Sequence, residues 1–537
     1  MPDREPSTMK QSVEIDAKIA DSDASAWLSD RAAVRWLAVL VVYAAVRGVV
    51  AAAARPFWCD EVCTWIMVHQ PGMRGIWSAL EHAVDGQGPA YYVIARAASG
   101  MLANQEIALR LPSIFGFCCL AVCVFIFVRR RIGNALALIC SFVLFTTVLF
   151  DVYAVEARAY SLVVACVAVA LVCYQRASSW RWSLLLGFCL ALAVSLHYYA
   201  VFAFVPFGAA EGVRLLRTRE IRFGVWLALL CGFVPLAIFW PLLSHLRQYY
   251  GAHFYAKPTL FTVAVTYGAF FEVAGRWGVG VAAALTLGVL GAALAAVNGR
   301  AKATCTCESP FDGQVLTLAL LALPVGIYVA TKVAHGGLTV RYALPAVIGV
   351  PLALSYILSR LGHRSVAFVV AFLLFAVAAR EGQFWLSHRG PLASGESNTD
   401  SIESLIETAG HEDLPVMVSD DLEFLALVHY AEPHWQERFV CVVDAEQAVA
   451  YTGADVADKE LVVLRTVANI HVYKFQGFAA QNPSFLLFSD DGRESGGGTE
   501  VSDWWPIRLV RDGYSLDLLA ADGTRRVYLV SAGKNSR

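Results

Sequence analysis

Long apolar stretches follow one another from residue 35 to residue 380, separated by short polar segments. A bilayer's hydrocarbon is crossed by about 20 apolar residues in a helix, so the pattern predicts about eleven membrane-crossing helices. They fall at 35–54, 109–128, 132–150, 160–175, 183–199, 200–213, 224–243, 279–297, 314–333, 343–360 and 365–380. Residues 89–102 and 260–275 are apolar but short or broken, and read as interfacial or re-entrant helices. Residues 1–32 carry no apolar period and read as a cytoplasmic tail. The 33–380 region thus forms a polytopic α-helical membrane domain.

Beyond Arg380 the texture changes. β-rich runs at 415–419, 439–443, 461–465, 484–488 and 526–531 alternate with amphipathic stretches at 401–409 and 422–430. That alternation predicts a small C-terminal α/β or α+β domain over 381–537, with a Gly496-Gly497-Gly498 loop inside it. It carries no phosphate loop, nucleotide fingerprint or complete set of metal ligands.

Composition agrees with the pattern. Of 537 residues, 58% are hydrophobic and 16% charged, against about 25% charged in a soluble protein. The net charge of −2 says less than its distribution. Arg and Lys gather in short loops such as Arg129-Arg130-Arg131, Arg214–Arg222 and Arg360–Arg364, and acids outnumber bases beyond Arg380. By the positive-inside rule this sets topology rather than nucleic-acid binding. The N-terminus is expected in the cytoplasm of an inner (plasma) membrane, and the C-terminal domain on the extracytoplasmic face. Of the 13 cysteines most lie inside apolar runs as small hydrophobes. Cys59 and Cys63 share an outer loop and are close enough in sequence to pair, and Cys305-x-Cys307 is a metal half-site without a second half.

The chemistry gathers on one face. Asp60 and Glu61 follow the first span; Asp151, Glu156, Arg158, Tyr160, His197, Arg341 and Tyr342 come from distant helix ends that the topology places on the same outer side. Each has a plainer reading. Acids at a helix start complement its dipole, Glu156 and Arg158 can pair with each other, and His197 is a common helix-end residue. Taken together, they predict a shared outer cavity.

Five motifs recur in order: Trp58-Cys59-Asp60-Glu61, Gly88-Pro89-Ala90-Tyr91-Tyr92, Arg110-Leu111-Pro112-Ser113, Glu156-Ala157-Arg158-Ala159-Tyr160 and Arg341-Tyr342-Ala343-Leu344-Pro345. As an ordered set over residues 30–380 they resemble the GT-C glycosyltransferases of the protein-mannosyltransferase and lipid A aminoarabinose-transferase type. The resemblance implies a polyprenyl-phosphate-linked sugar donor, inverting transfer to a glycan, lipid or protein acceptor, and a catalytic Asp in the first outer loop. Gln87-Gly88-Pro89-Ala90 stands where the family usually has His-Pro-Pro.

The residues support the same chemistry independently. A polyprenyl phosphate leaves as a stable anion, so transfer needs a base for the acceptor hydroxyl and cations for the phosphate. Asp60 is expected as the base with Glu61 and Glu156 beside it, and Arg158 and Arg341 as a phosphate clamp. Tyr91, Tyr92, Tyr160, His197 and Tyr342 complete the expected substrate-binding set. No metal is required, although Asp60 with Glu156 can hold Mg²⁺ or Mn²⁺. A transporter or lipid flippase is the competing class. It would place ionisable groups near mid-membrane in repeated halves, and no repeat is visible here.

Overall fold

The computed structural model describes residues 29–271, 278–297, 310–388, 395–490 and 503–533. The 1–28 tail, the Cys305-x-Cys307 pair and the Gly496-Gly497-Gly498 loop lie outside them. Among the described residues five helices are long and apolar enough to cross a membrane, or up to eight if each of three bent pairs is one span. Reaching the expected number of about eleven would require the three shorter apolar helices Trp180–Leu196, Leu260–Phe270 and Gly280–Gly291 as spans too.

The helical domain packs around Gln105–Phe142, which contacts Asp30–Ala54, Tyr160–Gln175 and Gly349–Leu358. This long segment is two helices meeting at Gly133. Its φ of 77° is open to glycine at low cost and breaks the helix where the sequence predicts a turn between spans. The 89–102 stretch is a short helix, Pro89–Ser99, introduced by proline at its first turn. Gly88 before it lies against another backbone: a Cβ there would sit 2.1 Å from the Ser195 carbonyl oxygen. Gly88 N–H also donates to Leu196 O at 2.9 Å, which fastens the first loop to the end of Trp180–Leu196. The last apolar helix runs past Arg380 to Ser387, so the polar domain begins beyond it, with Gly395–Ala409.

That domain holds a six-stranded sheet: β1 Val416–Val418, β2 Phe439–Val443, β3 Val472–Lys474, β4 Ser484–Asp490, β5 Tyr514–Asp522 and β6 Arg525–Ala532. Their order is β3-β2-β1-β4-β6-β5, with β3, β2, β1 and β4 parallel and the β5–β6 hairpin antiparallel at one edge. The central parallel strands are buried on both faces and read as continuous apolar runs, which made β1, β2 and β4 legible. One expected strand is corrected. Residues 461–465 belong to the helix Val456–Leu464 and its cap, whose apolar residues form one buried stripe rather than a strand face. β3 has a single buried residue, and β5 is mostly exposed; neither carries a strong hydrophobic signal.

The sheet domain is pinned onto the first loop of the helical domain. Tyr430 OH accepts from Phe57 N–H at 2.7 Å and donates to Glu106 at 3.1 Å. The Trp65 and His429 rings meet edge to face at 4.8 Å, and Gln70 Nε2 donates to Val467 O at 3.0 Å. Lys459 Nζ donates to Tyr249 O at 3.0 Å from the Val456–Leu464 helix. The domain is therefore a cap over the helix ends.

Candidate active site

Trp58 through Val68 set the site's geometry. The helix Cys59–Val68 starts just after the first span, so its first-turn acids project at the helical domain's end. Successive residues on a helix point about 100° apart, and the two acids accordingly serve different surroundings.

Asp60 faces a cavity of about 800 Å³ between the helical domain and the cap. Its Oδ2 accepts from Arg341 Nη1 at 2.6 Å and lies 3.3 Å from Arg158 Nη2. Arg158 also forms a two-pronged pair with Asp85, at 2.5 and 3.3 Å, and donates to the Asp60 carbonyl at 3.2 Å. Burial pushes the Asp60 carboxyl up, but the two guanidiniums outweigh it and hold it below its ordinary value. Arg341 donates to Tyr255 OH as well, and its guanidinium lies 5.9 Å from the Tyr160 ring.

Glu61 turns away from the cavity. Arg110 grips it bidentately at 2.7 and 2.5 Å, and both side chains are fully buried. Arg110 also donates to the carbonyls of Ala52, Arg55 and Pro56, and Ala157 N–H donates to Glu61 at 2.7 Å. This network ties the end of the first span to the 156–160 turn; Glu61 is a structural carboxylate, not one facing substrate.

The other expected residues divide similarly. Arg158, Tyr160, His197, Arg341 and Tyr342 line the cavity with Asp60. Tyr342 stacks on Tyr199 at 4.0 Å, and its ring lies 5.5 Å from His197. Tyr91 and Tyr92 are fully buried behind the wall, and Tyr92 donates to Asp85. Glu156 is buried outside the lining, and its carbonyl accepts from Ser113 Oγ at 2.7 Å. It does not pair with Arg158, which Asp60 and Asp85 engage instead.

Glu156, expected with Asp60 to be able to hold Mg²⁺ or Mn²⁺, is absent from the lining of the cavity that Asp60 faces. Asp60 is held by two cations, and no group of three or more His, Cys, Asp or Glu able to hold a metal occurs among the described residues.

The structure adds residues that sequence reasoning passed over. Asp85 completes the Arg158 anchor; its only signal was an acid beside the Gly86-Gln87-Gly88 turn. Tyr255 reaches Arg341 from the 245–257 segment. Glu460 of the cap lines the same cavity, and Cys63 Sγ donates to its Oε1 at 3.5 Å. The cap's Asp421, Asp458, Trp504 and Trp505 line it too.

No family model matches the sequence, and no curated protein matches it. Solved structures do. ArnT from Cupriavidus metallidurans in the apo state aligns with TM-score 0.56 at 14% identity, over 93% of this chain and 98% of that one. The same protein bound to undecaprenyl phosphate aligns with TM-score 0.53 at 14% identity, over 92% and 98%. An oligosaccharyltransferase from Archaeoglobus fulgidus aligns more loosely, with TM-score 0.45 at 13% identity, over 92% of this chain and 73% of that one. The chain shares the fold of the ArnT structures over most of its length.

Proposed function

We propose that this GT-C-fold protein is a multi-pass membrane glycosyltransferase. It moves a sugar from a polyprenyl-phosphate donor to an acceptor hydroxyl, with inversion, on the extracytoplasmic side of a bacterial inner membrane. The observation that carries this reading is a carboxylate held between two arginines in a cavity at the helix ends. ArnT, whose fold the chain shares, has been solved with undecaprenyl phosphate bound, and the same lipid class is proposed here.

Base and clamp are coupled in this geometry. Without donor, Arg158 and Arg341 neutralise Asp60 and keep it ionised. A donor phosphate competes for the same guanidiniums, which bind phosphate well through paired N–H groups. As they turn toward it, Asp60 loses the charges that depress its basicity. The carboxylate then takes the acceptor's hydroxyl proton while that oxygen bonds the anomeric carbon. The bond from that carbon to the phosphate oxygen breaks, and its electron pair leaves with the lipid phosphate. Asp85 and Tyr255, in the same cavity lining, keep Arg158 and Arg341 anchored as they turn. The orientation follows from the basic loops at the opposite helix ends.

The test uses the full chain in nanodiscs with undecaprenyl-phosphate-linked glucose, galactose, mannose and aminoarabinose, reading release of undecaprenyl phosphate. Asp60→Asn should lower kcat by about 10²–10⁴, the usual worth of a general base, without weakening donor binding. Arg341→Ala should weaken donor binding. Near-normal kcat in Asp60→Asn, or no turnover of any donor by the parent protein, would sink the reading.

A further inference from the structure

The cavity is charged unevenly. Its helical floor holds Arg158, Arg341 and Arg247 together with Asp60 and Asp85, whereas the charged residues of its cap wall are acids alone, Asp421, Asp458 and Glu460. Among the described residues no Lys or Arg of the cap lines it. Trp504 and Trp505, stacked at 4.3 Å, close the far end. The wall also lies at the carboxyl ends of the parallel strands. Ser419 and Asp421 follow β1, where the chain runs to β2 on one side of β1 while β4 lies on the other. Such a crossover point leaves a crevice where α/β sheets bind ligands.

A second observation is independent of the acids. Gln87 is only 2% exposed and lines the floor of the same cavity. Its Nε2 donates to Tyr160 OH at 3.4 Å, but its Oε1 has no hydrogen-bond partner among the described residues. A buried carbonyl oxygen left alone costs free energy, and a ligand bearing O–H or N–H groups would satisfy it. Donors are thus called for on the floor and acceptor oxygens are offered by the cap. That combination matches a sugar's hydroxyls.

We propose that Glu460 is an acceptor-binding residue and that the cap completes the site for a sugar ring carrying no carboxylate or phosphate. Resting on the transferase reading above, this names the acceptor class. Glu460 reaches the cavity because its helix is tied to the helical domain on both sides. Tyr249 OH donates to Lys459 O at 3.3 Å, and His253 lies 3.2 Å from Asp455. The carboxyl lines the cavity and accepts from the Cys63 thiol of the first loop. Burial pushes it up to about 8, with the charges of Asp60 and Asp85 adding to the effect. At neutral pH it is therefore chiefly a carboxylic acid, able both to donate to and to accept from a hydroxyl. An anionic ring against the cap wall would face Asp421 and Asp458 with no cap cation to offset them among the described residues.

The experiment is saturation-transfer NMR on the full chain in nanodiscs. The probes are the methyl glycosides of glucose, galactose, mannose and glucosamine, set against methyl glucuronide. The parent protein should bind at least one uncharged or amino glycoside and discriminate against the glucuronide. Glu460→Ala, which removes both the donor and the acceptor, should weaken that glycoside about tenfold, the equivalent of one hydrogen bond. Glu460→Lys should lessen the bias against glucuronide. Both variants should bind undecaprenyl phosphate as the parent does, which reports that they are folded. If no undecaprenyl-linked donor turns over but glycoside binding depends on Glu460, the transfer reaction fails and the site stands. No glycoside binding by the parent, or equal binding by correctly folded Glu460 variants, overturns the proposal.

Discussion

Asp60 and Glu61 are adjacent in sequence and opposite in role, and the difference lies entirely in what faces them. Asp60 looks into the cavity, where two arginines from distant parts of the chain meet it. Glu61 looks into packed protein at one arginine that nothing displaces. Glu460 is a third case, a carboxyl raised rather than lowered. A group whose folded value lies near 8, against 4.5 when exposed, holds a proton in the fold that the unfolded chain has released. The fold therefore loses stability as pH rises from about 4.5 to about 8, and the loss levels off above that range. Thermal unfolding of Glu460→Gln across this range should show a shallower decline than the parent. Parallel curves would mean that Glu460 titrates normally.

At the scale of elements, the short helix Cys59–Val68 joins the two halves of the site. One face of its first turn supplies Asp60 to the cavity, while Glu61 on another face is locked by Arg110. Cys63, one turn on from Cys59, meets the cap's Glu460. No bond joins the two thiols, and both remain free cysteines. Because the Arg110–Glu61 pair is fully buried, Glu61→Gln would leave a charged guanidinium without its counterion. A broken buried pair of this kind costs about 3–5 kcal/mol. We expect Glu61→Gln to lower the unfolding midpoint strongly, while any folded fraction keeps its affinity for undecaprenyl phosphate. A small stability change with lost turnover would instead move Glu61 into the chemistry. The paired acids were visible in the sequence, but their division of labour was not, since it depends on Arg110 reaching back across 49 positions.

On the scale of the whole molecule, the cavity exists only because the cap sits on the helical domain, so the cap and the Asp60 end of the helices are expected on one side of the membrane. The basic Arg214–Arg222 turn is expected on the other. In a Cys231→Ser background, Thr524→Cys in the exposed β5–β6 turn should react with a membrane-impermeant maleimide in intact cells. Glu220→Cys should react only after permeabilisation. The reverse pattern would invert the topology and place the proposed transfer on the cytoplasmic face.

The sequence by itself determined the membrane domain, the polar cap, most of the cap's core strands and the cavity-lining Asp60, Arg158, Tyr160, His197, Arg341 and Tyr342. These were legible because transfer of an apolar run into hydrocarbon is a sum over local residues, and because isolated charges at helix ends stand out against it. Tertiary structure alone decided which charges pair. Arg158 and Arg341 lie 98 and 281 positions from Asp60, and their attraction depends on distances that no local pattern encodes. The same holds for the cap. Its residues 461–465 have the composition of a strand, yet they belong to a helical turn because packing buries that stripe against neighbouring helices. The turn carries Glu460 to the cavity, and only the docked fold sets that carboxyl near Asp60.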